Sequence, residues 1–315
     1  MIDLIRIRGL AFLVLNICLM ACKTDNSKQT INKATEIDAL QVIDVITEAM
    51  EFQMVDTISS GWNTFRYHNK SQEVHFFLFE KLPEGVRIDN YKNELVPPFV
   101  QATTYMLEGK MEEGMKEFEK IPEWFYGVKE SGGVGLISPG KVGQSTIYLE
   151  PGVYAMECYI RMPNGMAHAF FGMLKEVIVT NDKSKNKEPD ADFSISISST
   201  EGITLKDSFT KGQHTFKVQF EDQIKYETML GHDVNLVKLD SFDLIETLST
   251  WINAADLNSF RSPAPKGLTF LGGVNDSQPG ISGYFSAELD SGNYVLISEV
   301  ANVKDRKMIV PFTIK

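Results

Sequence analysis

The residues best suited to metal chemistry lie in one short segment of the chain and at one position upstream of it. Cys158 is followed after nine residues by His168, and Met173 comes after four further residues. His75 opens the hydrophobic run His-Phe-Phe-Leu-Phe. A thiol, two imidazoles and a thioether are therefore the candidate donor groups.

This donor set is typical of a copper centre that transfers electrons, in which the methionine is a long, weak ligand. Thiolate and thioether suit Cu(I), and imidazole also suits Cu(II), so little rearrangement is needed when an electron passes. Zinc prefers four strong ligands. We therefore expect one copper ion at His75, Cys158, His168 and Met173. The alternative is a structural or empty site with a buried spectator cysteine.

The beginning of the chain has the pattern of an export signal. Arg6 and Arg8 precede an apolar run from Leu10 to Leu19, and Leu-Met-Ala-Cys ends at Cys22. The run is too short to span a membrane comfortably. The ending resembles the lipobox of bacterial lipoproteins, which implies cleavage before Cys22 and acylation of that cysteine. A plain secretory signal is the alternative.

On this interpretation, residues 1–21 are a lipoprotein signal peptide and residues 22–38 are a flexible tether. The protein is then an exported lipoprotein, anchored through its acyl chain to a membrane of the cell envelope, on the periplasmic face or the cell surface. Cys18 leaves with the signal and Cys22 carries lipid, so Cys158 is the remaining free thiol. A lone thiol in an oxidising compartment is consistent with a metal ligand.

Length and charge narrow the possible partners. The 315 residues are 43% apolar, which is enough for one large domain or two ordinary ones. The net charge of −11 disfavours nucleic acid, because phosphate would be repelled. A redox or copper-exchange protein in the envelope, docking through a basic surface, fits this charge.

Several short motifs occur twice. Gly-Gly-Val, Pro-Gly and Leu-x-x-Gly-x-Tyr stand at 132–134, 139–140 and 149–154, and again 140 residues later. The segment from His75 to Leu82 matches that from His232 to Leu239. The shared spacing predicts two tandem domains of one fold, at 39–181 and 193–315. A polar, proline-containing linker at 182–192 would join them.

The hydrophobic pattern predicts mostly strands. Residues 64–68, 146–149 and 193–197 alternate between apolar and polar, and residues 153–160 are rich in β-formers. Residues 100–119 have a loosely helical spacing, as do residues 244–257, and each is predicted as a short helical insertion. The methionines of the first insertion are expected to fill core space.

Together, four features resemble the cupredoxin family, of the plastocyanin and azurin kind. They are the segment from Asn69 to His75, Pro-Gly-x-Tyr-x-x-x-Cys at 151–158, His168-x-x-x-x-Met173, and the apolar strand at 172–179. The resemblance covers residues 40–180 and, in degraded form, residues 190–315. It implies two tandem cupredoxin-like Greek-key β-sandwiches, an all-β fold with short helical insertions.

In that family the first histidine, the cysteine, the second histidine and the methionine bind one type 1 copper. By position these are His75, Cys158, His168 and Met173. The loop from Cys158 to His168 is longer than in small cupredoxins and similar to that of copper nitrite reductases. Loop length affects solvent access and reduction potential.

The second copy keeps a histidine and a methionine but lacks the other two donors. His232 stands where His75 does, and Ser298 stands where Cys158 does. No histidine lies between Ser298 and Met308. We therefore expect a degenerate, copper-free domain with a scaffolding or partner-binding role.

Three functions are compatible with these observations. The first is electron transfer in the cell envelope through one type 1 copper. The second is copper capture or delivery, and the third is a non-metal binding module built from two sandwiches. An enzyme is not expected, because multicopper oxidases and nitrite reductases need additional histidines and this chain has five without a His-x-His pair.

Overall fold

Strands account for most of the regular structure, as the alternating apolar pattern predicts. The computed structural model describes residues 40–226 and 228–315. The predicted signal peptide, the tether and Cys22 lie outside the described residues. Within the described part of the chain, no helix has the length and apolar character needed to cross a membrane.

The strands of the described residues follow one another along the chain with a single major helical interruption. They are β1 (Val42–Thr47), β2 (Thr57–Asn69), β3 (His75–Lys81), β4 (Lys129–Ile137), β5 (Val142–Leu149), β6 (Gly152–Glu157), β7 (Leu174–Lys183), β8 (Phe193–Ser198), β9 (Gly202–Leu205), β10 (Gly212–Phe220), β11 (Val234–Leu239), β12 (Leu268–Val274), β13 (Ser282–Leu289), β14 (Gly292–Ile297) and β15 (Ile309–Ile314).

Helices lie mainly between β3 and β4. They are α1 (Ile88–Asn90), a π-helical turn (Tyr91–Leu95), α2 (Val96–Leu107) and α3 (Met111–Phe118), with α4 (Ile245–Trp251) in the second half. Short 3₁₀ turns occupy Glu123–Gly127, His168–Phe171 and Phe242–Leu244. The all-β fold class with short helical insertions is confirmed, as are the two predicted insertions.

Two layers of strands enclose the core of each half. In the first half, β2 and β5 pair in one layer, and β4, β3, β6 and β7 pair in the other. In the second half, β8, β10 and β13 form one layer, and β12, β11, β14 and β15 form the other. The aromatic rings of Phe65 on β2 and Phe79 on β3 lie 5.1 Å apart between the layers. Both halves are therefore sandwiches with buried inner faces.

The strand registers repeat at the spacing of the sequence motifs. In the first half, Leu78 lies opposite Gly133 and Glu157. In the second half, Asn235 has the equivalent position and lies opposite Gly273 and Ile297. Both β5–β13 pairing and a β4–β12 contact join the halves, and the described residues belong to one compact unit. The division into two domains and the linker at 182–192 stay predictions, although β7 ends at Lys183 and β8 begins at Phe193.

Two of the repeated motifs have clear steric and hydrogen-bonding reasons. A Cβ atom on Gly133 would lie 1.9 Å from the carbonyl oxygen of Phe77, and one on Gly273 would lie 1.9 Å from that of Val234. Only glycine allows the strands to approach so closely. The hydroxyl of Tyr154 donates to the carbonyl of Glu150 at 2.8 Å, closing the turn before β6. Tyr294 repeats this bond before β14.

The methionines of the helical insertion differ from the expectation. Met111 and Met115 are each 55% exposed and do not fill a core. With Met106 they line one side of a cavity of about 390 Å³ between the insertion and the sheet. The helical insertion lies outside the core of the sandwich. Its apolar side chains therefore line this cavity and do not fill it.

Candidate metal centre

Strand pairing brings His75 and Cys158 to the same end of one sheet. His75 is the first residue of β3, and Cys158 directly follows the last residue of β6. The two strands are antiparallel, with Leu78 opposite Glu157. The start of β3 therefore lies beside the end of β6, although 83 residues separate the two side chains.

The segment after Cys158 is held by backbone hydrogen bonds at its base. The Cys158 amide donates to the carbonyl of Met173 at 3.1 Å, and the Ala169 amide donates to the carbonyl of Cys158 at 2.9 Å. The His168 amide donates to the carbonyl of Ile160 at 2.8 Å. These bonds end β6 at Glu157, before the β-forming run ends at Ile160, and direct the loop back toward Cys158.

The three strong donor groups converge. The Sγ atom of Cys158 lies 3.8 Å from Nδ1 of His75 and 3.9 Å from Nδ1 of His168. The two Nδ1 atoms are 3.2 Å apart. Metal–nitrogen bonds are about 2.0–2.1 Å and metal–sulfur bonds about 2.3 Å for a first-row ion such as zinc. Separations below twice these lengths allow a single ion to contact all three atoms.

The surroundings of the second ring nitrogen, Nε2, differ between the two histidines. Nε2 of His75 and Nε2 of His168 are buried and have no hydrogen-bond partner. Nε2 of His168 nevertheless lies 3.2 Å from a carboxylate oxygen of Glu73, without the angles of a hydrogen bond. An outer carboxylate of this kind orients metal-bound imidazoles in many sites. Sequence reasoning did not identify Glu73.

Burial determines the protonation of the donors. His75, Cys158 and His168 are all fully buried. Desolvation, with a smaller contribution from the charge of His168, lowers the pKa of His75 to about 3. Desolvation lowers the pKa of His168 to about 4 and raises that of Cys158 to about 12. At neutral pH the site therefore presents two neutral imidazoles and a protonated thiol.

Met173, the fourth predicted ligand, lies in the same buried region. Its side chain belongs to the hydrophobic core and is fully buried. Its amide donates to the carbonyl of His168 at 3.2 Å, and its carbonyl accepts from Cys158. The backbone thus ties Met173 to two of the other three residues. Its role as the axial ligand stays a prediction.

The corresponding position in the second half has different chemistry. The Ser298 amide donates to Met308, as Cys158 does to Met173. The Ser298 hydroxyl donates to Oδ1 of Asp233 at 2.7 Å. Both nitrogens of His232 have protein partners, the Tyr226 hydroxyl at 3.1 Å and the Asp222 carbonyl at 3.0 Å. His232 and Ser298 therefore do not form a second site of the same kind.

Two buried acids, Glu80 on β3 and Glu157 on β6, lie on the side of the sheet that faces the helical insertion. Glu80 and Glu157 line the cavity beneath the helical insertion, and the Tyr91 hydroxyl donates to Glu157 at 2.9 Å. Desolvation, reinforced by the charges of Glu157 and Glu130, raises the pKa of Glu80. Neither acid was identified from the sequence, because both occupy ordinary strand positions. His68, expected to be a simple sheet residue, lies in β2 and contacts Asp44.

Comparisons with known proteins return only distant structures. No protein-family model matches the sequence, and no curated protein is significantly similar to it. An auracyanin from Roseiflexus castenholzii is 14% identical, with 39% of this chain and 94% of that one covered, at a TM-score of 0.27.

Two further solved structures are similarly distant. Auracyanin A from Chloroflexus aurantiacus, described as a blue copper protein, is 14% identical over 44% of this chain and 98% of its own, at a TM-score of 0.27. A copper-containing nitrite reductase from Thermus scotoductus is 9% identical over 87% of this chain and 61% of its own, at 0.21.

Proposed function

We propose that this protein binds one copper ion as a type 1 centre and transfers electrons in the cell envelope. His75, Cys158 and His168 would be the three strong ligands, and Met173 would be the weak axial ligand. The observation that carries the proposal is the convergence of one thiol and two Nδ1 atoms in a fully buried pocket. This donor set favours copper over zinc because it combines a soft thiolate with only two imidazoles.

The protonation states suit metal binding. Neutral imidazoles offer a lone pair without first losing a proton. The thiol must lose its proton when the ion binds, so loading would release one proton per copper near neutral pH. Copper, when bound, supplies a one-electron couple, and the protein supplies a fixed, water-excluded set of donors around it.

Burial favours electron transfer over copper delivery. A delivery site exposes ligands so that a receiving protein can exchange them one by one, whereas all three strong donors here are buried. Backbone hydrogen bonds at both ends of the ligand loop restrict its opening. A rigid site keeps the geometry similar in both oxidation states, which speeds electron exchange.

Absorption spectroscopy tests copper binding directly. Adding Cu(II) to the metal-free protein is expected to give an intense visible band from thiolate-to-copper charge transfer, with a stoichiometry of one. The Cys158→Ser variant is expected to remain without that band. A colourless wild-type protein, or a variant with the same spectrum, would contradict the proposal.

Two rates separate electron transfer from delivery. Fast electron self-exchange with slow loss of copper to a chelator is the expected result. Rapid transfer of copper to the chelator with slow self-exchange would support copper capture or delivery instead. If native purification yields no metal and added copper leaves thermal stability unchanged, the protein is a non-metal binding module.

We also propose that Cys22 carries a lipid anchor, which would place the folded part at an envelope membrane beside a redox or copper-exchange protein. The lipobox-like ending at Cys22 supports the anchor, and the acidic net charge supports a basic partner. Labelling with a radioactive fatty acid is expected to mark the wild type and not Cys22→Ala. Equal labelling of both would count against the anchor.

A further inference from the structure

Three carboxylates from the second half of the protein meet in a cluster that shares no residue with the candidate copper centre. Oxygen atoms of Asp233, Asp276 and Glu299 all lie within 4.8 Å of one another. All three side chains are buried, at 0%, 0% and 2% exposure. Buried like charges at this distance repel strongly unless a proton or a cation lies between them.

Strand pairing explains why these distant residues meet. Asp233 directly precedes β11, Glu299 follows β14, and Asp276 follows β12. Strand β11 lies between the other two and is antiparallel to both. The cluster therefore lies at the same end of this sheet at which Cys158 and His75 lie in the first half.

Neutral hydrogen-bond donors hold two of the three carboxylates, Asp233 and Glu299, in place. Oδ1 of Asp233 accepts from the Ser298 hydroxyl at 2.7 Å and from the Glu299 amide at 2.9 Å. Asn235 donates to the other oxygen of Asp233. Glu299 accepts from the Tyr159 hydroxyl. Donors of this kind orient the ligands of metal sites without neutralising them.

Asp276 provides a second and independent observation. Its Oδ2 accepts from the Gly231 amide at 2.6 Å, but its Oδ1 is fully buried and has no hydrogen-bond partner. An unsatisfied buried carboxylate oxygen costs free energy, because water has been removed and nothing replaces it. A bound cation would supply the missing partner.

We propose that Asp233, Asp276 and Glu299 bind one hard divalent cation, such as Ca²⁺ or Mn²⁺. Oxygen ligands select Mg²⁺, Ca²⁺ and Mn²⁺ over softer ions, and this cluster contains neither sulfur nor imidazole. The site is separate from the copper centre in donor type and residues. Tyr159 connects the two, because it follows Cys158 in the chain and donates to Glu299.

Terbium luminescence tests this site in the copper-free protein. Tb³⁺ substitutes for Ca²⁺ at oxygen sites, and Tyr159 would transfer excitation energy to it. Saturable green emission that Ca²⁺ or Mn²⁺ displaces is expected for the wild type, with calorimetry giving one site. Absence of both signals with millimolar Ca²⁺ and Mn²⁺ would overturn the proposal and assign the cluster to shared protons.

Matched variants locate the binding. Asp276→Asn and Glu299→Gln are expected to weaken Ca²⁺ and Mn²⁺ binding by at least about tenfold. Asp290→Asn, at an exposed carboxylate of the same half, is the control and is expected to bind as the wild type does. Unchanged binding in Asp276→Asn would overturn the proposal.

Folding measurements distinguish a loss of cation binding from a loss of structure. Each variant should keep its circular dichroism and its cooperative thermal unfolding, both measured without any metal. If Asp276→Asn does not fold, Tyr159→Phe is the second variant. It is expected to weaken calorimetric Ca²⁺ binding, because Glu299 loses its donor, and to lose most of the terbium emission. Full emission from a folded Tyr159→Phe would place the cation elsewhere and overturn the assignment. Failure of the copper proposal would leave these outcomes unaffected, because no copper is added.

Discussion

The Nδ1 atoms of His75 and His168 face each other 3.2 Å apart, at the end of a sheet from which water is excluded. Desolvation opposes a positive charge on either ring, and a charge on His168 also disfavours one on His75. The pair therefore couples the protein's stability to pH and prepares both rings to bind a metal.

Acid should destabilise the metal-free protein through these histidines. Their folded pKa values, about 3 and about 4, lie below the ordinary value of 6.5. Between pH 6.5 and about 4 the unfolded chain binds protons that the folded chain does not, so stability falls as the pH falls. Each histidine contributes a slope of up to about 1.4 kcal/mol per pH unit.

Thermal unfolding of wild type and His168→Gln between pH 7 and pH 4.5 measures this effect. The variant is expected to lose less stability than the wild type across the window. Buried acids with raised pKa values, such as Glu80, act in the opposite direction and are present in both proteins. Parallel curves for the two proteins would show that His168 titrates normally.

His75 and His232 stand at equivalent sequence positions of the two copies but should differ in metal binding. His75→Gln is expected to abolish the intense visible copper band, because one strong ligand is lost. His232→Gln is expected to leave the band unchanged, because both ring nitrogens already have protein partners. Loss of the band in both variants would indicate that the second half contributes to the copper site.

Met173→Leu should separate the axial position from the strong ligands. The variant is expected to keep bound copper and visible colour, with a shifted reduction potential, because the axial ligand tunes the potential. Leucine has a similar volume and is tolerated in the core. An unchanged potential measured by voltammetry would exclude the Met173 thioether as a ligand.

Glu73→Gln should weaken copper binding without removing a ligand. The carboxylate lies 3.2 Å from Nε2 of His168, where it can orient the ring. Loss of an outer partner typically costs about 10- to 100-fold in metal affinity. Competition with a chelator measures the loss of copper affinity. Glu48→Gln is the control, because Glu48 is an exposed acid that also precedes β3 in the sequence.

Tyr154→Phe and Tyr294→Phe should both destabilise the protein, because Tyr154 loses one turn hydrogen bond and Tyr294 loses two. The expected loss in the free energy of unfolding is about 1 kcal/mol per hydrogen bond, so Tyr294→Phe should cost more. Tyr148→Phe, at an exposed tyrosine of β5, is the control and should change stability little. Denaturant unfolding measures all three, and a large loss in the control alone would contradict the role assigned to the turns.

Much of the architecture could be predicted from local patterns. Alternation identified parts of β2, β5 and β8, because side chains on a strand face opposite sides of the sheet. The Gly-Gly and Tyr motifs identified equivalent places in both halves. The run of β-forming residues at 153–160 extends past the end of β6 at Glu157, because the backbone groups of the later residues bond elsewhere.

The sequence by itself determined which donor types are available: one thiol in the folded part, one histidine close to a methionine, a second histidine far upstream, and a second copy lacking that thiol. The tertiary structure decided which atoms meet. Only strand pairing brings Nδ1 of His75 to Cys158 and Glu73 to His168. It also assembles Asp233, Asp276 and Glu299, which no local spacing connects, from the ends of neighbouring strands. The apolar and polar pattern along a chain reveals strand periodicity, but contacts between distant segments depend on how the sheets pair.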